Sequence, residues 1–437
     1  MKMETKNELD RIKQTLKWVW NNKYSDFYRK KYEKAGIDAS KVKNWEDFRK
    51  IPFLERREIA QSDPYDRVFL PEKKIKGLLT TSGTSGQEPL VIFNKQDGIN
   101  YRGRDISFAE YILYEKLKKI GAKRLATFRV LFACNMYCLE SSSDNFRVLL
   151  DMNNLAASAI VAAKARIDAI ETTATTLYFF TPYLKERYDL RNIKYIQLSG
   201  EYCSNQKIQL IRRTYPNAVV TRNYGSNEDR VRGRQCIEQG KKGSALLHVA
   251  SKIKYIECID PETKESLGYN KEGECVVTVL DKFAFPVIRY RTGDEIIFRK
   301  EKCSCGDKSP LFEILGRIGT DSVSIQGGRL TRIMAEKALE KLKADITVDY
   351  RFHIYEKIIR GEISYLLEAE LVPQNLKLLN NERLKDKIKK AISENLYLSP
   401  SLTLQKLVEK GAFLPLEVKL VEQIPFENKR KIFVTHY

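Results

Sequence analysis

The sequence predicts a two-domain α/β protein: a large N-terminal domain of central sheets flanked by helices over residues 1–317, and a small α+β domain over residues 318–437. Three observations lead there. A chain of 437 residues exceeds the size at which single hydrophobic cores stop growing. From residue 125 to 290 short apolar runs alternate with helical patterns, as they do around a largely parallel sheet. After about residue 318 the composition changes to long charged helices alternating with strands.

Residues 6–60 read as helical and amphipathic, with Leu9, Ile12, Leu16 and Trp18–Val19 at near-helical spacing. Trp18, Trp20, Tyr24, Phe27 and Tyr28 suit core packing better than a base-stacking surface. Asn44-Trp45-Glu46-Asp47-Phe48 followed by Ile51-Pro52-Phe53 is a helix start and a proline stop. Val91–Phe93 reads as a strand, and 101–120 as a helix that partly buries Ile106, Ala109, Tyr111 and Leu113. The candidate strands that follow are Val130–Ala133, Thr176–Phe180, Tyr195–Leu198, Ala218–Thr221, Tyr255–Ile259 and Glu274–Leu280, with helices at 159–172 and 205–214. Gly316-Arg317-Ile318-Gly319-Thr320-Asp321 reads as a short hinge. Beyond it come helices at 331–343 and 381–396 and strands at 346–355, 363–371 and 416–422.

Composition narrows the function classes. No run of about 18 apolar residues exists, and the start Met1-Lys2-Met3-Glu4-Thr5-Lys6 is polar, so neither a membrane helix nor a signal peptide is expected and the predicted location is cytoplasmic. Eight cysteines in a chain this long do not form a disulfide framework. The net charge of +20 would permit nucleic-acid binding, but lysines are interleaved with glutamates, as in Glu336-Lys337-Ala338-Leu339-Glu340-Lys341. That spread points to a solvated basic surface rather than a nucleic-acid partner. The residues set no oligomeric state; a homodimer is one option.

The chemistry-bearing stretches begin with Thr80-Thr81-Ser82-Gly83-Thr84-Ser85-Gly86. Its glycines and hydroxyls can turn donors inward around a polyanion, although a polar hairpin turn has the same composition. Leu198-Ser199-Gly200-Glu201 ends a strand, and Arg222-Asn223-Tyr224-Gly225-Ser226-Asn227-Glu228 follows another. In open parallel sheets, ligands bind at strand ends. Arg289-Tyr290-Arg291-Thr292-Gly293-Asp294 delivers an aspartate from a tight turn, and Gly316-Arg317 follows. Singly, Glu228 could start a solvated helix, Asp294 could cap a turn and Arg317 could make a surface ion pair.

In this order and spacing the set resembles the adenylate-forming superfamily, most closely its phenylacetate–CoA ligase-like branch, over roughly residues 45 to 434. The resemblance implies activation of an aryl or other small carboxylic acid by ATP as an acyl-adenylate, release of pyrophosphate and transfer to CoA. It also implies roles. Thr81, Ser82, Gly83, Thr84, Ser85 and Gly86 would hold the β- and γ-phosphates, and Glu228 would bind Mg²⁺. Asp294 would accept the ribose hydroxyls, with Arg317 near ribose or phosphate, while Gly200, Glu201, Asn223, Tyr224 and Gly225 would line the adenine. Within Ile424-Pro425-Phe426-Glu427-Asn428-Lys429-Arg430-Lys431, Lys429, or else Lys431, would be the adenylation lysine, a basic tail being the plain alternative. The small domain would be a mobile lid.

Cys303-Ser304-Cys305 is a Cys-X-Cys pair that lacks two ligands for tetrahedral zinc. Cys236 and His248 are the candidates, with Cys258 and Cys275 as competitors, and the resemblance implies a comparable Cys…His…Cys-X-Cys set. A lone buried histidine among free thiols is the alternative.

The chain also departs from the family pattern. Gln87 stands where the phosphate loop often carries Lys, the hinge has one residue inserted, and Phe132-Ala133-Cys134-Asn135-Met136-Tyr137-Cys138-Leu139 lacks the glycine-rich stretch of the aryl-acid branch. Phenylacetate is therefore not a safe substrate. Two rivals follow: transfer of the acyl group to a protein, amine or alcohol, as in capsule-biosynthesis or acyl-protein synthetase relatives, and a non-catalytic nucleotide-binding or nucleic-acid-associated protein.

Overall fold

The computed structural model describes residues 5–75, 77–80, 90–94, 99–101, 104–106, 108–129, 139–142, 145–200, 203, 205–281, 283–317, 322–325, 328–342, 344–359, 362–399, 402–424 and 432–436. The expected phosphate loop from Thr81 to Gly86, Gln87, Glu201, the hinge residues Ile318–Asp321, the candidate strand Val130–Ala133 and the terminal lysines Lys429 and Lys431 lie outside the described residues. The chain divides into two compact units, one drawn from most of the residues up to Gly316 and one from Arg317 onward.

The first unit is organised on a twelve-stranded sheet. One half is parallel: Asn145–Asp151, Arg124–Arg129, Ala169–Thr172, Tyr195–Leu198 and Val219–Ser226 run side by side in that order. The twelfth strand, Leu139–Ser142, adds antiparallel to Asn145–Asp151 at the edge, and the later parallel strands are connected by the helices Leu155–Lys164, Ala174–Lys185 and Asn205–Thr214. The other half is built of Arg230–Arg234, Leu247–Val249, Leu311–Arg317, Tyr290–Arg299, Glu272–Val279 and Lys254–Ile259, and the pairings resolved within it are antiparallel.

The N-terminal helices form because their polar ends are capped and their apolar positions recur at helical spacing. Thr5 and Glu8 make a capping box at the start of Lys6–Trp20, which buries Ile12, Leu16 and Val19. Asn44 caps Trp45–Lys50 through its side chain. Together with Tyr28, Tyr32, Phe48 and Ile59, these residues pack in one core with Tyr255, Val277, Ile296 and Phe312 from the antiparallel strands. Arg11 ties the first helix down by donating to the Ser251 carbonyl at 2.9 Å.

Several expectations need correcting. Thr176–Phe180, read as a strand from its β-branched and aromatic content, lies inside the helix Ala174–Lys185. Thr173 caps that helix by accepting from the Thr176 amide at 3.0 Å, and Leu177, Phe180 and Leu184 are fully buried at spacings of three and four. The helix expected at 159–172 ends at Lys164; Asn154 starts it earlier, and Ala169–Thr172 is a strand held between two parallel neighbours. The helix expected from 101 begins at Phe108, after two short paired strands, Ile99–Tyr101 and Arg104–Ile106.

The second unit carries a four-stranded sheet in the order Glu417–Leu420, Glu362–Pro373, Ile346–Ile359, Phe433–His436. The two long central strands are antiparallel and the outer ones run parallel to their neighbours. The helix Glu382–Asn395, capped by Asn381, buries Leu384, Ile388 and Ile392. The helix expected at 331–343 is shorter, Arg332–Leu339 followed by one 3₁₀ turn. Among the described residues no helix is long and apolar enough to cross a membrane.

Candidate functional site

Where the parallel half of the sheet meets the antiparallel half, the strand Val219–Ser226 pairs with Tyr195–Leu198 on one side and folds back onto Arg230–Arg234 on the other. The hairpin between them has a bulge after Tyr224. Gly225 permits it: a Cβ there would lie 1.9 Å from the Arg230 carbonyl oxygen, which backbone cannot vacate. At the neighbouring strand end, Gly200 adopts φ +86, a left-handed conformation suited to glycine.

The hairpin presents a dense buried polar cluster. Tyr224 donates its hydroxyl to Asp294 Oδ2 at 2.6 Å, and Arg232 donates through Nη1 to both the Tyr224 hydroxyl and Asp294 Oδ2, each at 3.0 Å. Arg232 Nε lies 2.9 and 3.0 Å from the two oxygens of Asp229, and its Nη2 donates to Ser226 at 2.7 Å. Ser226 in turn donates to Asp229 at 2.9 Å. Burial works against the charge of Arg232, but Asp229, Tyr224 and Asp294 together outweigh it and hold the guanidinium well above its ordinary pKa. Burial raises the Tyr224 phenol well above its usual range, so it stays a neutral donor to Asp294.

Glu228, at the tip of this hairpin, is buried rather than part of a solvated helix start. Its Oε1 accepts from Arg56 at 3.1 Å and from the Tyr290 hydroxyl at 3.4 Å. Strand alternation sends Asn223 to the face opposite Tyr224, opposite Arg234 in the hairpin register, where its Oδ1 is enclosed with no hydrogen-bond partner among the described residues.

The run Arg289–Asp294 is a scaffold rather than a ligand row. Arg289 forms a two-pronged pair with Glu257 at 3.2 and 3.0 Å, and its charge sits over the Phe53 ring at 4.0 Å. Arg291 pairs with Glu274 at 2.9 Å, and Glu274 also accepts from the Gly293 amide. With both arginines consumed in this way, Asp294, in the middle of the strand Tyr290–Arg299 rather than in a turn, is the group directed at Tyr224. Arg317 ends the strand Leu311–Arg317; its side chain lies outside the described residues.

A second centre lies in the same unit. One ligand atom from each of Cys236, His248, Cys303 and Cys305 lies within 4.8 Å of every other. Cys236 and Cys303 have their sulfurs 3.4 Å apart, and Cys305 Sγ is 3.4 Å from His248 Nε2. A tetrahedral Zn²⁺ with Zn–S bonds of about 2.3 Å needs sulfurs roughly 3.8 Å apart, so small outward shifts would seat one. The amides of Gln239 and Asp307 point at Cys236 and Cys305 sulfur, each at 3.4 Å, and Ser309 lies 3.3 Å from His248 Nδ1. Burial lowers the His248 pKa and keeps the ring neutral, the form that binds metal. The competitors Cys258 and Cys275 face each other across two adjacent strands and are not in this set.

Sequence reasoning missed Arg232, Asp229 and Arg56. The alternation Arg230-Val231-Arg232-Gly233-Arg234 was the available signal, since a buried arginine in a strand demands buried acids.

Comparison with known proteins agrees with this architecture, although no family model matches the chain. The chain is 24% identical over 375 residues to a phenylacetate–coenzyme A ligase of Thermus thermophilus, covering 83% of this chain and 79% of that protein. Phenylacetate–coenzyme A ligases of Pseudomonas putida and Escherichia coli are 23% and 22% identical, covering 80% and 85% of this chain and 78% and 84% of their own lengths. Among solved structures, a 2-hydroxyisobutyryl-CoA ligase in complex with 2-HIB-AMP and CoA superimposes with a TM-score of 0.63 at 20% identity, over 98% of this chain and 89% of that one. The same ligase in its postadenylation state gives 0.59 at 19% identity, over 99% of this chain and 89% of that one. Fold and sequence likeness thus point the same way: the chain is similar to phenylacetate–coenzyme A ligases along most of its length and shares its fold with a 2-hydroxyisobutyryl-CoA ligase.

Proposed function

We propose that this protein uses ATP to activate a small carboxylic acid, aryl or otherwise, as an acyl-adenylate, releases pyrophosphate, and then passes the acyl group to coenzyme A. The observation that carries the reading is likeness to coenzyme A ligases along more than four fifths of the chain. A carboxylate is a poor electrophile, and such chemistry is mainly positioning and charge neutralisation.

In this reading Tyr224 and Arg232 fix the carboxylate of Asp294 so that it can accept the ribose hydroxyls. Gly200, Glu201, Asn223 and Gly225 line the adenine. Thr81, Ser82, Thr84 and Ser85 hold the phosphates, with Gly83 and Gly86 relaxing the loop. Glu228, buried but bonded only through Oε1 among the described residues, offers a hard oxygen ligand to Mg²⁺, with Arg56 as its resting partner. Bound Mg²⁺ would supply charge neutralisation at the phosphates. Arg317 lies near ribose or phosphate, and Lys429 reaches the developing charge during adenylation. The unit beginning at Arg317 acts as a lid that moves between the two half-reactions.

The Cys236, His248, Cys303 and Cys305 set takes a structural Zn²⁺. Its four protein ligands leave no open position, so the metal would pin the loop carrying Cys303 and Cys305 to the sheet rather than act on substrate.

Acid-dependent ATP–pyrophosphate exchange over a broad acid panel tests the reading. Exchange with at least one acid, abolished in Glu228→Gln, is expected. Absence of exchange with every acid, or an unchanged Glu228→Gln enzyme, overturns it. Offering coenzyme A against amines and alcohols then identifies the acceptor.

A further inference from the structure

The helix Phe108–Ile120 and the loop around Asp307 border an open pocket of about 520 Å³ within the first unit, lined in part by Cys236 and Cys305 of the Cys/His cluster. Its volume falls in the range of small-molecule sites. The walls include Lys116, Lys118, Lys119 and Arg234, against the carboxylates of Glu115 and Asp307. One of those acids is already engaged, because Arg234 pairs with Asp307.

Two of the cations have donors with no acceptor among the described residues. Lys116 is 6% exposed, and its ammonium donates to Gln197 Oε1 at 3.2 Å, a neutral amide oxygen. The amide nitrogen of Gln197 is committed to Glu171 at 2.9 Å. An ammonium carries three donors, and Lys116 makes no direct ion pair with an acid among the described residues, Glu171 acting on it only from beyond Gln197. Arg234 Nε is likewise enclosed and has no acceptor among the described residues. Lys118 and Lys119 are exposed at the mouth. A point-charge lysine beside an arginine fork suits a tetrahedral oxyanion.

We propose that this pocket is a second ligand site, taking a phosphate-bearing small molecule whose phosphate is held by Lys116 and Arg234 and guided in by Lys118 and Lys119. The inference stands apart from acid activation, since every residue it uses lies outside the adenylation set. Two sources carry the same chemistry: a free phosphorylated metabolite, or the 3′-phosphate of coenzyme A.

Calorimetric titration of the full chain with inorganic phosphate tests it, using wild type, Lys116→Gln, Lys119→Glu and, as a control outside the pocket, Asp294→Asn. Lys119 is exposed, so its variant folds whatever the fate of Lys116→Gln. Expected is phosphate binding weakened at least tenfold in Lys119→Glu and in Lys116→Gln and unchanged in Asp294→Asn. Displacement of phosphate by coenzyme A but not by dephospho-coenzyme A assigns the site to the cofactor's 3′-phosphate; displacement by neither assigns it to a free metabolite. No phosphate binding in wild type, or equal binding in wild type and Lys119→Glu, overturns the proposal.

Discussion

Replacing Arg232 by Met should be the most damaging single change in the polar cluster. The guanidinium makes hydrogen bonds to Asp229, Ser226, Tyr224 and Asp294, and both it and Asp229 are nearly inaccessible. Methionine fills the volume but leaves two buried carboxylates without their cation. Removing one partner of a buried pair costs about 3–5 kcal/mol. The lower end applies here, because Lys254 stays 4.0 Å from Asp229 and Tyr224 still donates to Asp294. Calorimetry on the full chain should show the transition of the larger unit lowered by roughly 6 °C for a loss of about 3 kcal/mol. Arg232→Met with Asp229→Asn should recover part of that loss, since the stranded charge is then gone. A loss below about 1 kcal/mol, or no recovery in the double variant, would refute the assignment of Arg232 as the charge that holds this hairpin together.

Four further outcomes follow from the geometry. Tyr224→Phe removes the donor to Asp294, a bond to a charged group worth about 1.5–3 kcal/mol, so KM for ATP in the exchange assay should rise roughly tenfold or more while the fold survives. Gly225→Ala forces a methyl against the Arg230 carbonyl and should cost at least about 2 kcal/mol in urea unfolding. Cys303→Ser with Cys305→Ser should abolish zinc in elemental analysis of the purified protein and lower its melting temperature. Burial pushes Lys116 down to about 7, so its cost is full below that pH and is relieved as pH rises towards the unfolded value near 10.5. Wild type should therefore gain stability relative to Lys116→Met over that window, by at most about 1.4 kcal/mol per pH unit in urea titrations.

Local pattern was enough wherever one element's own residues decide its state. Tyr195–Leu198 and the helix from 205 to 214 coincide with the structure because one is a short apolar run and the other an amphipathic stretch. Thr176–Phe180 misled because β-branched and aromatic content outvoted a three-and-four spacing that only the longer window through Leu184 reveals. The chemistry-bearing residues were legible where they stand in a motif. The Cys/His set was assembled from Cys-X-Cys and two distant candidates, and the fold brings those four together. What could not be read was pairing across the chain. Arg56 meets Glu228 over 172 residues of separation, and Lys116, on the helix Phe108–Ile120, is buried and donates to Gln197 on a strand 81 residues on. The antiparallel half of the sheet was also hidden, because strand direction is set by the partner and leaves no mark on an isolated strand.

The N-terminal helices have a consequence for synthesis. Their apolar faces close on Tyr255, Val277, Ile296 and Phe312, and Arg11 waits for the Ser251 carbonyl. The segment 6–60 therefore has no complete native surface to cover it until the strands from Leu247 to Phe312 have been made. Through that interval Trp18, Tyr28 and Phe48 are a target for chaperones and proteases alike, and slowing translation between residues 60 and 250 should lower the yield of folded protein more than slowing it after residue 320.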